Sequence, residues 1–227
     1  MQEFKTKPDL QNAAAEWIAQ RLEDTLSRRK KATLMLSGGS TPGPIYEKLS
    51  HFDIDWRHVT VGLADERWVE EKIPASNSAM VRRTLLQNKA ASAPYTPMKL
   101  SGDDPFKSIE DVAELYEPAL HTDVMILGMG PDAHTLSWFS GARGYTSAID
   151  PENPLAVTAV EAIQSPVTGE HTLRMTLTQR CVANARHILL IITGEEKKRV
   201  FETAATDAPV SIMLRAAGDA LTVFYCP

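Results

Sequence analysis

Asp132 and His134 are the two side chains in this sequence best suited to acid–base chemistry, and they lie two residues apart in the segment VMILGMGPDAHTLSWFSG (124–141). An imidazole can take a proton from water near neutral pH, and a neighbouring carboxylate can fix its orientation. Residues at i and i+2 diverge on a regular helix, so a shared role requires an irregular loop, which Gly128, Gly130 and Pro131 favour. The preceding Val/Met/Ile/Leu run reads as a strand buried on both faces. Open α/β sheets bind ligands beyond the carboxyl ends of such strands. A helix-capping Asp132 beside a merely packed His134 would account for the same residue types without chemistry.

A second group of residues suits anion recognition. Ser37, Gly38, Gly39, Ser40 and Thr41 follow the apolar run TLML and precede a helix expected from about Pro42. Glycines leave backbone N–H groups accessible, the hydroxyls donate, and the start of a helix favours negative charge. The segment matches neither the dinucleotide fingerprint nor the nucleotide P-loop. An ordinary turn with Ser40 or Thr41 as helix cap remains the alternative. Asp65 and Arg67 emerge after the apolar run VTVGLA (59–64) and point the same way if the chain stays extended. Arg67 then suits a phosphate and Asp65 a sugar hydroxyl, with a solvated charged turn as the alternative. Lys197 stands in the first turns of a helix, where a cation needs a reason such as closing an anion pocket; an ordinary surface lysine is the alternative. Arg174, in RMTLT, either joins that pocket or snorkels to the surface.

These residues need a scaffold that brings several strand ends together. Strand-like runs at 33–37, 59–64, 124–130, 187–194 and 220–225 alternate with helical periodicity at 9–30, 78–87, 105–118 and 195–205. Asp9, after Pro8, is the expected cap of the first helix. LAVTAVEA (155–162) adds one further strand. Alternation of this kind predicts a single three-layer α/β domain over 1–227, with a mostly parallel, Rossmann-like sheet flanked by helices.

With 227 residues, 43% of them apolar, the chain is long enough for one sizeable core. Its net charge of -5 offers no general attraction for nucleic acid or anionic lipid. Cys181 and Cys226 lie far apart without metal spacing, and no signal peptide or spanning stretch is visible, so a reduced cytoplasmic setting is expected.

Taken together, SGGSTP (37–42), LADERWV (63–69), SNSAMVRRTLL (76–86), LGMGPDAHTLSWF (127–139), RMTLT (174–178) and TGEEK (193–197) resemble the 6-phosphogluconolactonase family, in the family's order and over nearly the whole chain. The resemblance implies hydrolysis of 6-phosphoglucono-1,5-lactone to 6-phosphogluconate in the oxidative pentose phosphate pathway. No metal and no redox cofactor would be needed. A monomer or homodimer acting on a small sugar-phosphate lactone, without nucleic-acid or membrane partners, is expected. By the same resemblance, the 37–41 loop, Arg67 and Lys197 hold the phosphate, with Asp65 and Arg174 beside them. His134 is the general base, and Asp132 its partner.

The chain departs from the family pattern at Ala133, where glycine is usual, and at Leu136, Trp138 and Ser140, where Ala, Leu and Pro are common. The expectation is that Ala133 is tolerated with ordinary dihedrals. The related alternatives are a glucosamine-6-phosphate deaminase or sugar-phosphate isomerase, to which HTLSWFSG is less similar, and a non-catalytic sugar-phosphate sensor.

Overall fold

The computed structural model describes residues 1–227. Its elements run β1 (Gln2–Glu3), α1 (Lys7–Arg28), β2 (Ala32–Leu36), α2 (Gly43–Leu49), β3 (Val59–Leu63), β4 (Asp65–Arg67), α3 (Asn77–Thr84), α4 (Ile109–Leu115) and β5 (Val124–Gly128). The chain continues through α5 (Tyr145–Ala148), β6 (Val157–Glu161), β7 (Leu173–Leu177), α6 (Gln179–Asn184), β8 (His187–Thr193), α7 (Glu195–Thr203), α8 (Pro209–Ala217) and β9 (Leu221–Cys226).

Six strands form one parallel sheet in the order β1-β9-β8-β5-β2-β3, flanked by helices. Its central members are short aliphatic runs: Ile188, Leu189 and Leu190 of β8 and Val124, Met125 and Ile126 of β5 are all sealed from solvent. Strands covered on both faces cannot alternate polar with apolar residues, and these do not. From β2 the chain moves outward to β3, then returns to the other side of β2 for β5, β8 and β9. The order therefore reverses between β2 and β5. The loops that leave these two strands diverge and open a crevice, which is where doubly wound sheets bind ligands.

A second sheet, β4-β7-β6, is antiparallel. The sequence pointed to a strand at 155–162 and to an extended chain at 65–67, but not to their pairing in a sheet separate from the main one. Short polar strands are locally compatible with either arrangement, and only pairing across more than a hundred residues decides between them.

Local capping also differs from expectation. Thr6, not Asp9, caps α1: its Oγ1 accepts from the Asp9 N–H at 3.2 Å and donates to the Asp9 carboxylate at 2.6 Å. The threonine–acid pair three residues apart is a reciprocal cap that moves the helix start ahead of Pro8. Likewise, the periodic stretch at 105–118 is divided into two short 3-10 turns around α4, interrupted near Ser108 and Tyr116. No helix is long and apolar enough to cross a membrane.

Candidate active site

The crevice between β2 and β5 contains a cavity of about 290 Å³, near the small end of the range for small-molecule sites. The 37–41 loop forms one wall, and the 128–134 loop another. Asp65, Arg67 and Arg174 from the second sheet, with Lys197 from α7, complete the enclosure. Five separate segments thus deliver polar groups to one space.

The serine–glycine loop leaves β2 directly. Ser37 N–H still donates to the Ile126 carbonyl of β5 at 3.1 Å, and its own carbonyl accepts from the buried Tyr46 hydroxyl at 2.9 Å. The loop is anchored at its root from both sides. Gly38 packs so tightly against the Asn77 side chain that any Cβ would collide with it, and Gly39 has φ 109°, a left-handed conformation that glycine adopts without penalty. Neither Ser40 nor Thr41 caps α2: Pro42 holds the N-cap position, without a side-chain bond. The Ser37 hydroxyl is buried on the cavity wall and has no partner in the protein. A buried, unpaired hydroxyl at a ligand-sized cavity is a donor available to an incoming oxygen.

β4 positions the charged pair. Asp65 and Arg67 both line the cavity, with the intervening Glu66 turned into the protein, as strand alternation requires. The Glu66 carboxylate is fully buried and accepts from the N–H groups of Arg67, Asn77 and Ser78 and from the Ser76 hydroxyl at 2.8–3.1 Å. Burial pushes its pKa upward while those four bonds oppose the shift. Together they lock the start of α3 to β4, which places Asn77 beside Gly38. Asp65 accepts from the Ser137 hydroxyl at 2.6 Å, tying this sheet to the loop that carries His134.

Arg67 donates to the Ala75 carbonyl at 2.6 Å. Arg174 is only 4% exposed, so it does not snorkel. Its guanidinium donates to the carbonyls of His171 and Thr168 at 2.8 and 2.7 Å and lies 5.8 Å from the Phe139 ring. Desolvation, reinforced by the charge of Arg67, lowers its pKa to about 10. The half-buried Lys197 has its ammonium pushed below the usual value by burial, while Asp132 and Glu196 pull it partly back. Two crowded cations and a desolvated ammonium make this wall electropositive and receptive to an anion.

On the opposite wall, Asp132 Oδ1 lies 2.5 Å from His134 Nδ1 and also accepts the His134 backbone N–H at 3.3 Å. Asp132 therefore caps its own loop rather than a helix. Burial raises the Asp132 pKa, but its bonds to His134 outweigh that effect and hold the carboxyl below its ordinary value. As an ionised acceptor it requires a proton on Nδ1, leaving Nε2 as the basic nitrogen. The Phe139 ring packs against the imidazole at a tilt of 39°, with centroids 4.5 Å apart.

The expectation of ordinary dihedrals at Ala133 does not hold. Its φ is 64°, and Leu136 has φ 52°, so both occupy the left-handed region. This geometry costs an alanine about 1–2 kcal/mol. The loop is nevertheless over-determined: the Gly130 N–H bonds the His134 carbonyl at 2.9 Å, the Ala133 carbonyl accepts from Val210, and the Thr135 hydroxyl bonds the Gly128 carbonyl at 2.8 Å. These bonds offset the strain and fix the loop.

Every candidate residue read from the sequence lines this cavity except Asp132, which stands behind His134 and orients it. Asn77, Phe139, Glu66 and Ser137 were not singled out. Glu66 and Ser137 act through long-range bonds with no local signature, although a buried-run position for Glu66 between Asp65 and Arg67 follows from strand alternation.

Comparison with known proteins gives the same picture. A sequence model of the family described as glucosamine-6-phosphate isomerases/6-phosphogluconolactonase matches residues 5–222. The 6-phosphogluconolactonase of Neisseria meningitidis serogroup A is 34% identical, with 98% of this chain and 97% of the relative covered. That of Pseudomonas aeruginosa is 37% identical over 94% of this chain and 89% of its own. The crystal structure of a 6-phosphogluconolactonase from Shewanella baltica superimposes with a TM-score of 0.89 at 34% identity, covering 100% of this chain and 97% of that one. By fold, site and sequence, the chain belongs to the glucosamine-6-phosphate isomerase/6-phosphogluconolactonase family.

Proposed function

We propose that this chain is a 6-phosphogluconolactonase that hydrolyses 6-phosphoglucono-1,5-lactone to 6-phosphogluconate, with His134 as general base. The observation that carries the reading is the presence, in one cavity, of a carboxylate-oriented imidazole and an electropositive wall suited to phosphate. The names of the relatives support the same substrate.

In this reading the 37–41 loop, Arg67 and Lys197 hold the phosphate, and Asp65 and Arg174 complete that end of the site. Anchoring the remote phosphate restricts the lactone carbonyl to the neighbourhood of the imidazole. Nε2 of His134 takes a proton from water, whose oxygen adds to the lactone carbonyl. The tetrahedral intermediate collapses with cleavage of the bond to the ring oxygen, which receives the proton back from His134. Asp132 stabilises the imidazolium formed between the two steps and keeps Nδ1 protonated. All 227 residues serve as one catalytic unit in this scheme.

The decisive experiment follows acid release from freshly made lactone, corrected for spontaneous opening. Acceleration that disappears in His134→Ala is expected. An inactive protein that binds 6-phosphogluconate would instead identify a sensor, and ammonia release from glucosamine 6-phosphate would identify a deaminase.

A further inference from the structure

At the opposite edge of the parallel sheet, beneath the amino ends of β2, β5 and β8, lies a second cavity of about 230 Å³ with no apolar residue in its lining. The strands separate it from the first cavity by roughly 15 Å, the length of five extended residues. Arg21, Asp24, Thr25 and Arg28 enter from α1, at spacings of three and four that place them on one face of the helix. Arg29, Asp123, Arg186 and His187 come from the segments that start the three strands.

The charges do not cancel. Four guanidinium groups face two carboxylates. Asp123, almost fully buried, is already committed: it bonds Arg29 at 2.7 Å, lies 3.4 Å from Arg186, and accepts from the Thr33 N–H and hydroxyl at 3.0 and 3.2 Å. Asp24 is exposed and accepts from Gln20 at 3.0 Å. Arg21 is the least satisfied member. Its guanidinium lies 4.2 Å above the Trp17 ring, and its Nε is shut off from solvent without a hydrogen-bond partner. Desolvation lowers the Arg21 pKa, and burial with the charges of Arg21 and Arg186 also lowers that of His187. Each group is held in a less favourable state than water would give it, and an oxyanion would relieve both.

We propose that this cavity is a binding site for a small polyphosphate anion, gripped by Arg21, Arg28 and Arg186. Several planar guanidinium groups converging on a wholly polar space match the tetrahedral oxygens of linked phosphates. The absence of apolar lining disfavours any organic body on the ligand. The site is independent of the catalytic cavity and of the activity assigned to it.

Trp17 supplies the readout, because an anion that draws Arg21 toward itself changes the cation above the indole. The test titrates inorganic pyrophosphate into the full chain, following heat and the emission lost in Trp17→Phe. Saturable binding stronger for pyrophosphate than for sulfate is expected. Arg186→Ala, checked for an unchanged thermal transition because Arg186 also lies 3.4 Å from the buried Asp123, should weaken it about tenfold, in line with the loss of one charge-assisted hydrogen bond. Arg21→Ala, checked for an unchanged thermal transition, should weaken it at least as much, whereas Arg67→Ala should leave it unaltered. The proposal is overturned if neither signal saturates, if affinity survives in both Arg21→Ala and Arg186→Ala, or if Arg67→Ala abolishes the response.

Discussion

Arg67 and Arg174 are direct partners across the antiparallel β4–β7 pair, so adjacent strands send two guanidinium groups into one cavity. Like charges opposite one another destabilise a sheet. Their bonds differ in kind: Arg67 holds one carbonyl and remains partly exposed, whereas Arg174 is buried and holds two. The two substitutions should therefore fail differently. Arg67→Ala is expected to weaken 6-phosphogluconate binding and raise KM by about tenfold or more, with little effect on stability. Arg174→Ala leaves the Thr168 and His171 carbonyls unmet and should also lower unfolding free energy by about 1–3 kcal/mol. Calorimetric titration and denaturant unfolding of both variants measure the split.

The Asp132–His134 bond sets the expected acid response. Because the folded-state pKa of Asp132 lies below its ordinary value of 3.8, its stabilising contribution is fully present above the unfolded value and is lost only as pH falls through the depressed one. Above its ordinary value the carboxylate stays charged and keeps its bond to the imidazole. His134→Ala should lower kcat by about 100-fold or more with KM little changed. An unchanged kcat in His134→Ala would remove His134 from the role of base.

Two small residues beside the histidine have opposite expectations. Ala133→Gly relieves a left-handed alanine but frees the unfolded chain, so a net stabilisation of no more than about 1 kcal/mol is expected, with kcat changed less than about twofold. Gly130→Ala should abolish turnover, since a Cβ there collides with the His134 ring and the Asp132 carboxylate. Steady-state kinetics and melting curves distinguish the two, and a large rise in kcat for Ala133→Gly would show that the native loop misplaces the base.

Lys197 predicts an alkaline effect on binding. Burial depresses its pKa, so the ammonium loses its proton at a lower pH than the ordinary value of 10.5, and the anion pocket loses charge with it. Affinity for 6-phosphogluconate should decline as pH rises toward that range. Lys197→Arg should remove the decline, because a guanidinium stays protonated. Product binding is the suitable measurement, as the lactone itself opens in alkali.

The sequence by itself determined the parallel α/β class, the strand-end location of the candidate residues and the identity of nearly all the polar and charged side chains that line the cavity. Apolar runs, glycine breaks and the residue types at those breaks are local properties. Asp132 with His134, the 37–41 loop, and Asp65 with Arg67 could be read this way because each group lies within a few consecutive residues. Only the tertiary structure decided that β4 leaves the main sheet to pair with β7, that Arg174 is buried beside Arg67, and that Ser137 joins Asp65 to the histidine loop. It also decided the conformation of Ala133, since φ 64° is imposed by bonds from Val210 and within the loop against the residue's own preference. Those outcomes depend on partners distant in sequence, whose pairing is selected by the packing of the whole core rather than by the residues that carry the chemistry.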